Sequence, residues 1–125
     1  MRLLLDTNIL IWALCEPKKL PKEAKQLMTL SGDIFVSAAS LWEISIKANL
    51  GKININVHDL VIRLNEAEIE ELPITWEHSL FTKDLPLHHH DPFDRILVAQ
   101  AMSEPLMLLT HDEILVQYSE LVKYV

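Results

Sequence analysis

Cysteine is almost missing from this 125-residue chain: Cys15 stands alone, so no intrachain bridge can form and a disulfide scaffold is excluded. Glycine occurs only twice, which leaves little for a flexible linker and nothing for a Gly-rich phosphate loop. Apolar runs such as Leu3 to Leu5 and Leu106 to Leu109 fall far short of the about 20 residues that span a bilayer. Asp6 and Asn8 interrupt the N-terminal apolar stretch before it reaches the length of a secretory core. Basic surplus is also lacking. The net charge of −7 argues against a protein that coats nucleic acid through counterion release. It leaves room for an enzyme acting on nucleic acid, because cations held among carboxylates reverse the local sign.

What is present is apolar surface. Half of the residues are hydrophobic and 23% are charged, so disorder is excluded and a chain of this length can bury about two-thirds of its unfolded surface. One domain over residues 1–125 is expected, with no membrane segment and a cytoplasmic location. Lys18, Lys19, Lys22 and Lys25 cluster early and read as a solvated helix face, as does the acidic run from Glu66 to Glu71.

Short apolar runs alternate with helical patterns. Leu3–Leu5, Ile34–Val36, Glu71–Thr75 and Leu106–Thr110 read as strands, with Leu121–Val125 as an added edge. Helices are expected over about 8–14, from Pro21 to Leu30, from Ser37 or Ser40 to Gly51, over 58–67, from Trp76, and from Asp91-Pro92 to Pro105. Strands alternating with helices imply right-handed crossovers and a mostly parallel central sheet covered on both faces, a three-layer α/β/α sandwich. Ligands in such sheets bind beyond the carboxyl ends of the strands.

Four acids fall at that edge. Asp6 follows the first strand directly, Glu43 lies early in the helix after the second, Asp94 lies in the first turn after Pro92, and Asp112 comes two residues after the Leu106–Thr110 strand. Each has a plain structural explanation: Asp6 can cap the next helix, Glu43 can form a capping box with Ser40 or pair with Lys47, and Asp112 can sit in a turn. Capping does not explain why all four share one sheet edge. Clustered carboxylates repel unless cations lie between them, and an oxygen donor set suits one or two Mg2+ or Mn2+ ions. Asp91, before Pro92, is placed to cap rather than to bind metal. His88-His89-His90 lacks spaced Cys or His partners and reads as a solvated loop near the substrate. Trp12 and Trp42 read as core, and Arg95 and Lys47 as phosphate contacts or as partners of a nearby acid.

The motifs Leu4-Leu5-Asp6-Thr7-Asn8, Ser37-Ala38-Ala39-Ser40-Leu41-Trp42-Glu43-Ile44, Leu50-Gly51-Lys52 and His90-Asp91-Pro92-Phe93-Asp94-Arg95, with Ala99-Gln100-Ala101, together resemble a PIN-domain ribonuclease, nearest to the VapC-like toxin branch. The resemblance runs through essentially the whole chain. It implies an acidic Mg2+ or Mn2+ endoribonuclease in which Asp6, Glu43, Asp94 and Asp112 are the metal-binding and catalytic acids, with Asn8 and Thr110 as polar neighbours orienting a carboxylate or water. It further implies RNA as substrate, a cognate antitoxin protein as partner, and a homodimer. Two departures stand out: a His-Arg or similar pair is commoner where this chain has His88-His89-His90, and Ile114-Leu115 occupies a turn that often carries Phe.

Other classes remain to be separated from this one. A non-toxin RNA-processing nuclease differs in being harmless when expressed, and a catalytically silent PIN-like binding module in not cleaving RNA. A receiver-like phosphoacceptor requires a lysine near the acids after the last strands, and Lys123, the only lysine after Lys83, lies at the extreme C-terminus. For the dimer, the apolar positions of the Pro21–Leu30 and 58–67 helices are the expected contact surfaces, with Lys18, Lys19 and Lys22 guiding RNA.

Overall fold

The computed structural model describes residues 1–125. Its elements run β1 (Arg2–Leu5), α1 (Thr7–Cys15), α2 (Lys22–Leu30), β2 (Asp33–Ser37), α3 (Ala38–Asn49), α4 (Val57–Glu66), β3 (Glu70–Leu72), α5 (Trp76–Phe81), α6 (Pro92–Ser103), β4 (Met107–Thr110) and β5 (Val122–Tyr124). Short 3-10 turns lie at Pro17–Lys19, Thr82–Asp84 and Glu113–Tyr118. The five strands form one sheet in the order β3-β2-β1-β4-β5, and every neighbouring pair is parallel. β1 therefore sits at the centre, flanked by β2, which precedes α3, and by β4, which follows α6.

Strand periodicity sorts the core into two layers. Leu3 and Leu5 of β1 join Leu109 of β4 on one face, packed with Ile9, Leu10, Ile44, Leu60 and Leu64 from α1, α3 and α4. Leu4 and Leu108 point the other way, against Leu97, Val98 and Ala101 of α6 together with Leu115 and Tyr118. Both faces are buried, which is why the strands carry continuous rather than alternating apolar runs.

Boundaries differ from expectation where backbone chemistry overrides pattern. β3 is Glu70–Leu72 rather than Glu71–Thr75, because Pro73 has no N–H to extend the ladder. Ser37, not Ser40, caps α3 by accepting from the Ala39 amide at 3.0 Å, so Ser40 and Glu43 form no capping box. Past the end of α3, Gly51 adopts φ +72°, a left-handed turn that glycine enters without a steric penalty. Trp42 is not core: it is 61% exposed, with its ring edge against Phe93 at 5.2 Å between centroids.

Candidate active site

The parallel register places the ends of β1 and β4 side by side. Leu5 pairs with Leu109, and the Asp6 amide donates to the Leu109 carbonyl at 3.0 Å, so Asp6 and Thr110 are neighbours although 104 residues separate them. Asp6 is buried at the first turn of α1, where one oxygen accepts from the Ile9 amide at 2.9 Å. The expected cap thus exists. Its second oxygen accepts from the Thr110 hydroxyl, and that same hydroxyl accepts from the Asp112 amide at 3.1 Å. One buried side chain therefore fixes two of the four acids.

Glu43 reaches this edge from the second turn of α3. Its Oε1 accepts from the Thr7 hydroxyl at 2.7 Å and its Oε2 pairs with Lys47 Nζ at 2.9 Å. Its side chain is 12% exposed. Asp94 projects from the first turn of α6, and Asp112 from the cap of the 3-10 turn after β4, where its Oδ1 accepts from the Ile114 amide at 3.0 Å. Asp91 caps α6 through the Phe93 amide at 2.8 Å, as its place before Pro92 implied.

The acids sense one another. Burial raises the Asp94 carboxyl from 3.8 to about 7; the charge of Asp91 adds to this, His89 opposes it, and Asp6 and Glu43 contribute further. Burial also raises Asp6, against hydrogen bonds from the Ile9 amide, the Thr110 hydroxyl and the His111 amide, with Glu43 adding to the rise. Desolvation and like charge both disfavour the ionised form. Ligand atoms of His89, Asp94 and Asp112 lie within 4.8 Å of one another, close enough to share a cation.

Comparison with known proteins now bears on this arrangement. The family model described as the PIN domain matches residues 3–121. The chain belongs to the PIN domain family. Solved structures agree on the fold of this PIN domain. VapBC2 from Rickettsia felis, bound to a DNA fragment from its promoter, superposes with a TM-score of 0.72 at 15% identity over 100% of this chain and 98% of that one. VapBC-1 from nontypeable Haemophilus influenzae gives 0.67 at 22% identity over 100% and 97%. A toxin–antitoxin complex from Klebsiella pneumoniae gives 0.58 at 21% identity over 87% and 85%. No curated protein matches the chain.

Several side chains of the PIN domain take parts that the sequence reading assigned otherwise. Arg95 is not free to contact phosphate. Its Nη1 donates to the Pro86 carbonyl at 2.8 Å, the Tyr118 hydroxyl at 3.1 Å and the His89 carbonyl at 3.3 Å. Its Nη2 donates to the Thr82 and Leu85 carbonyls at 3.0 and 3.2 Å. A guanidinium fork so engaged is a strut for the loop before α6. Asn8 is exposed and makes no side-chain hydrogen bond, whereas Thr7 beside it holds Glu43. The sequence signal for Thr7 was its place directly after Asp6, at the first helical position.

The histidine run does not behave as one solvated loop. His89 is largely buried, and its Nε2 lies 3.0 Å from Asp112 Oδ2 and 3.3 Å from Asp94 Oδ2. Three consecutive histidines give no pattern by which to rank them. Only the backbone path, set by Arg95 and Tyr118, selects His89.

Proposed function

We propose that this PIN domain, acting over residues 1–125, is a metal-dependent endoribonuclease and the toxin component of a bacterial toxin–antitoxin pair, working in the cytoplasm as a homodimer. The observation that carries the reading is the convergence of Asp6, Glu43, Asp94 and Asp112 beyond the carboxyl ends of β1, β2 and β4, with Asp94 raised to about 7 by burial and neighbouring charge. Carboxylates gathered against their own repulsion are the donor set for a hard divalent cation, Mg2+ or Mn2+, as one ion or two. When bound, such a cation lowers the pKa of a coordinated water and neutralises charge at the attacked phosphate.

The chain's own residues supply the rest. Thr110 aims Asp6 and Asp112, and Thr7 with Lys47 holds the Glu43 carboxylate in one orientation. Asp94, raised to about 7, would hold the cation in its ionised form. Lys47 is 43% exposed, and an ammonium has three donors, so it can meet an RNA phosphate while paired with Glu43. Antitoxin partnership is supported by the company of the fold, since the similar structures include a toxin–antitoxin complex. Exposed Trp42 and Ile46 on α3, Leu50 just past its end, Trp76 and Leu80 on α5, and Val61 and Ile62 on α4 provide apolar area for a protein partner or a second copy.

The test is cleavage of single-stranded RNA by the purified chain with Mg2+ or Mn2+. Activity should disappear in EDTA and in Asp6→Asn and Asp94→Asn. Undiminished cleavage in excess chelator overturns the cation reading. Growth arrest on expression, relieved by co-expressing the adjacent open reading frame, tests the toxin reading; harmless expression of an active chain favours RNA processing instead.

A further inference from the structure

His89, Asp94 and Asp112 resemble a three-residue metal site by distance alone, but the hydrogen bonds around the imidazole assign it another part. The Asp91 amide donates to His89 Nδ1 at 3.0 Å. That occupies the Nδ1 lone pair, so the ring proton resides on Nε2. Nε2 then offers a donor and no lone pair to the space between Asp94 Oδ2 and Asp112 Oδ2. A ligand nitrogen needs the opposite arrangement.

We propose that the His89 ring N–H stands in for a cation between Asp94 and Asp112 and must give way when a divalent ion takes those two carboxylates. This rests on the cation reading above. The backbone around the ring is held independently of the acids. The His89 amide donates to the Tyr118 hydroxyl at 2.9 Å, its carbonyl accepts from Arg95, and Arg95 also binds the carbonyls of Thr82, Leu85 and Pro86. Exchange therefore requires only rotation of one side chain, with the loop kept in place. His89 is thus a positioning residue: it sets the affinity of the site by binding the same oxygens the cation needs.

The competitor and ligand roles predict opposite signs. Mn2+ titrated into the full chain, followed by calorimetry and by the free-ion electron paramagnetic resonance signal, should bind His89→Ala about tenfold more tightly than wild type, the scale of a hydrogen bond to a charged group given up before the ion enters. Asp94→Asn should bind more weakly than either. Weaker or equal binding by His89→Ala overturns the proposal while leaving the cation reading intact. Absence of Mn2+ binding by wild type and both variants overturns both.

A second readout needs no variant. In the 15N-labelled wild-type chain, the His89 ring should report the Nε2–H tautomer before Mg2+ is added. Mg2+ should then alter the Nε2 environment without moving the proton to Nδ1. Conversion to the Nδ1–H tautomer on adding Mg2+ makes His89 a ligand and overturns the proposal.

Discussion

Thr110 joins Asp6 to Asp112 through a single hydroxyl that donates to one and accepts from the backbone of the other. Thr110→Val keeps the shape but strands a buried carboxylate oxygen and an amide, a loss of ~1–3 kcal/mol. Urea unfolding should show that loss, and cleavage should fall with it, whereas Thr110→Ser should retain most of both. Asp94 gives a pH signature. Its folded-state value of about 7 exceeds the ordinary 3.8, so the folded chain binds the extra proton between these limits. Stability attributable to this group is present below 3.8 and is lost as pH rises through about 7. Asp94→Asn should accordingly melt above wild type in mildly alkaline buffer, with the difference shrinking steadily on acidification. A difference that grows on acidification reverses the sign and refutes the burial argument. Cation affinity should climb with pH over the same interval and level off once the carboxyl is ionised.

Capping and loop bracing act one level up. Asp91→Asn should leave stability nearly unchanged, since asparagine accepts from the same amide, while Asp91→Ala should lower it by ~1 kcal/mol in urea melts. Arg95→Met removes four hydrogen bonds to the carbonyls of residues 82–89 before α6 and a fifth to the Tyr118 hydroxyl. Hydrogen exchange should accelerate across residues 82–91 while β1 and β4 stay protected; equal acceleration in the strands contradicts the strut assignment. These elements show how far sequence reaches. Strand and helix types followed from apolar runs, Pro92 and Gly51, because local backbone chemistry writes them directly. The gathering of the acids at one sheet edge followed from the parallel topology. Arg95, Trp42, Thr7 and His89 were misread or missed because their partners lie on other elements, and spacing along one segment carries no record of them.

The sheet as a whole sets what the surface can do. No helix is long and apolar enough to cross a membrane, yet α3, α4 and α5 carry exposed Trp42, Ile62, Trp76 and Leu80. The proposed dimer predicts a sedimentation mass twice the 14.4 kDa of one chain at micromolar concentration, and a mass of one chain throughout the range removes it. The strand order has a further consequence. β1 precedes the other four strands in the sequence but lies at the centre of the sheet, and its partner β4 follows β2 and β3. Until β4 docks, Thr110 and Asp112 are absent from the edge where Asp6 and Glu43 wait. The four acids of the proposed site therefore come together only once β4 has been synthesised and has docked beside β1.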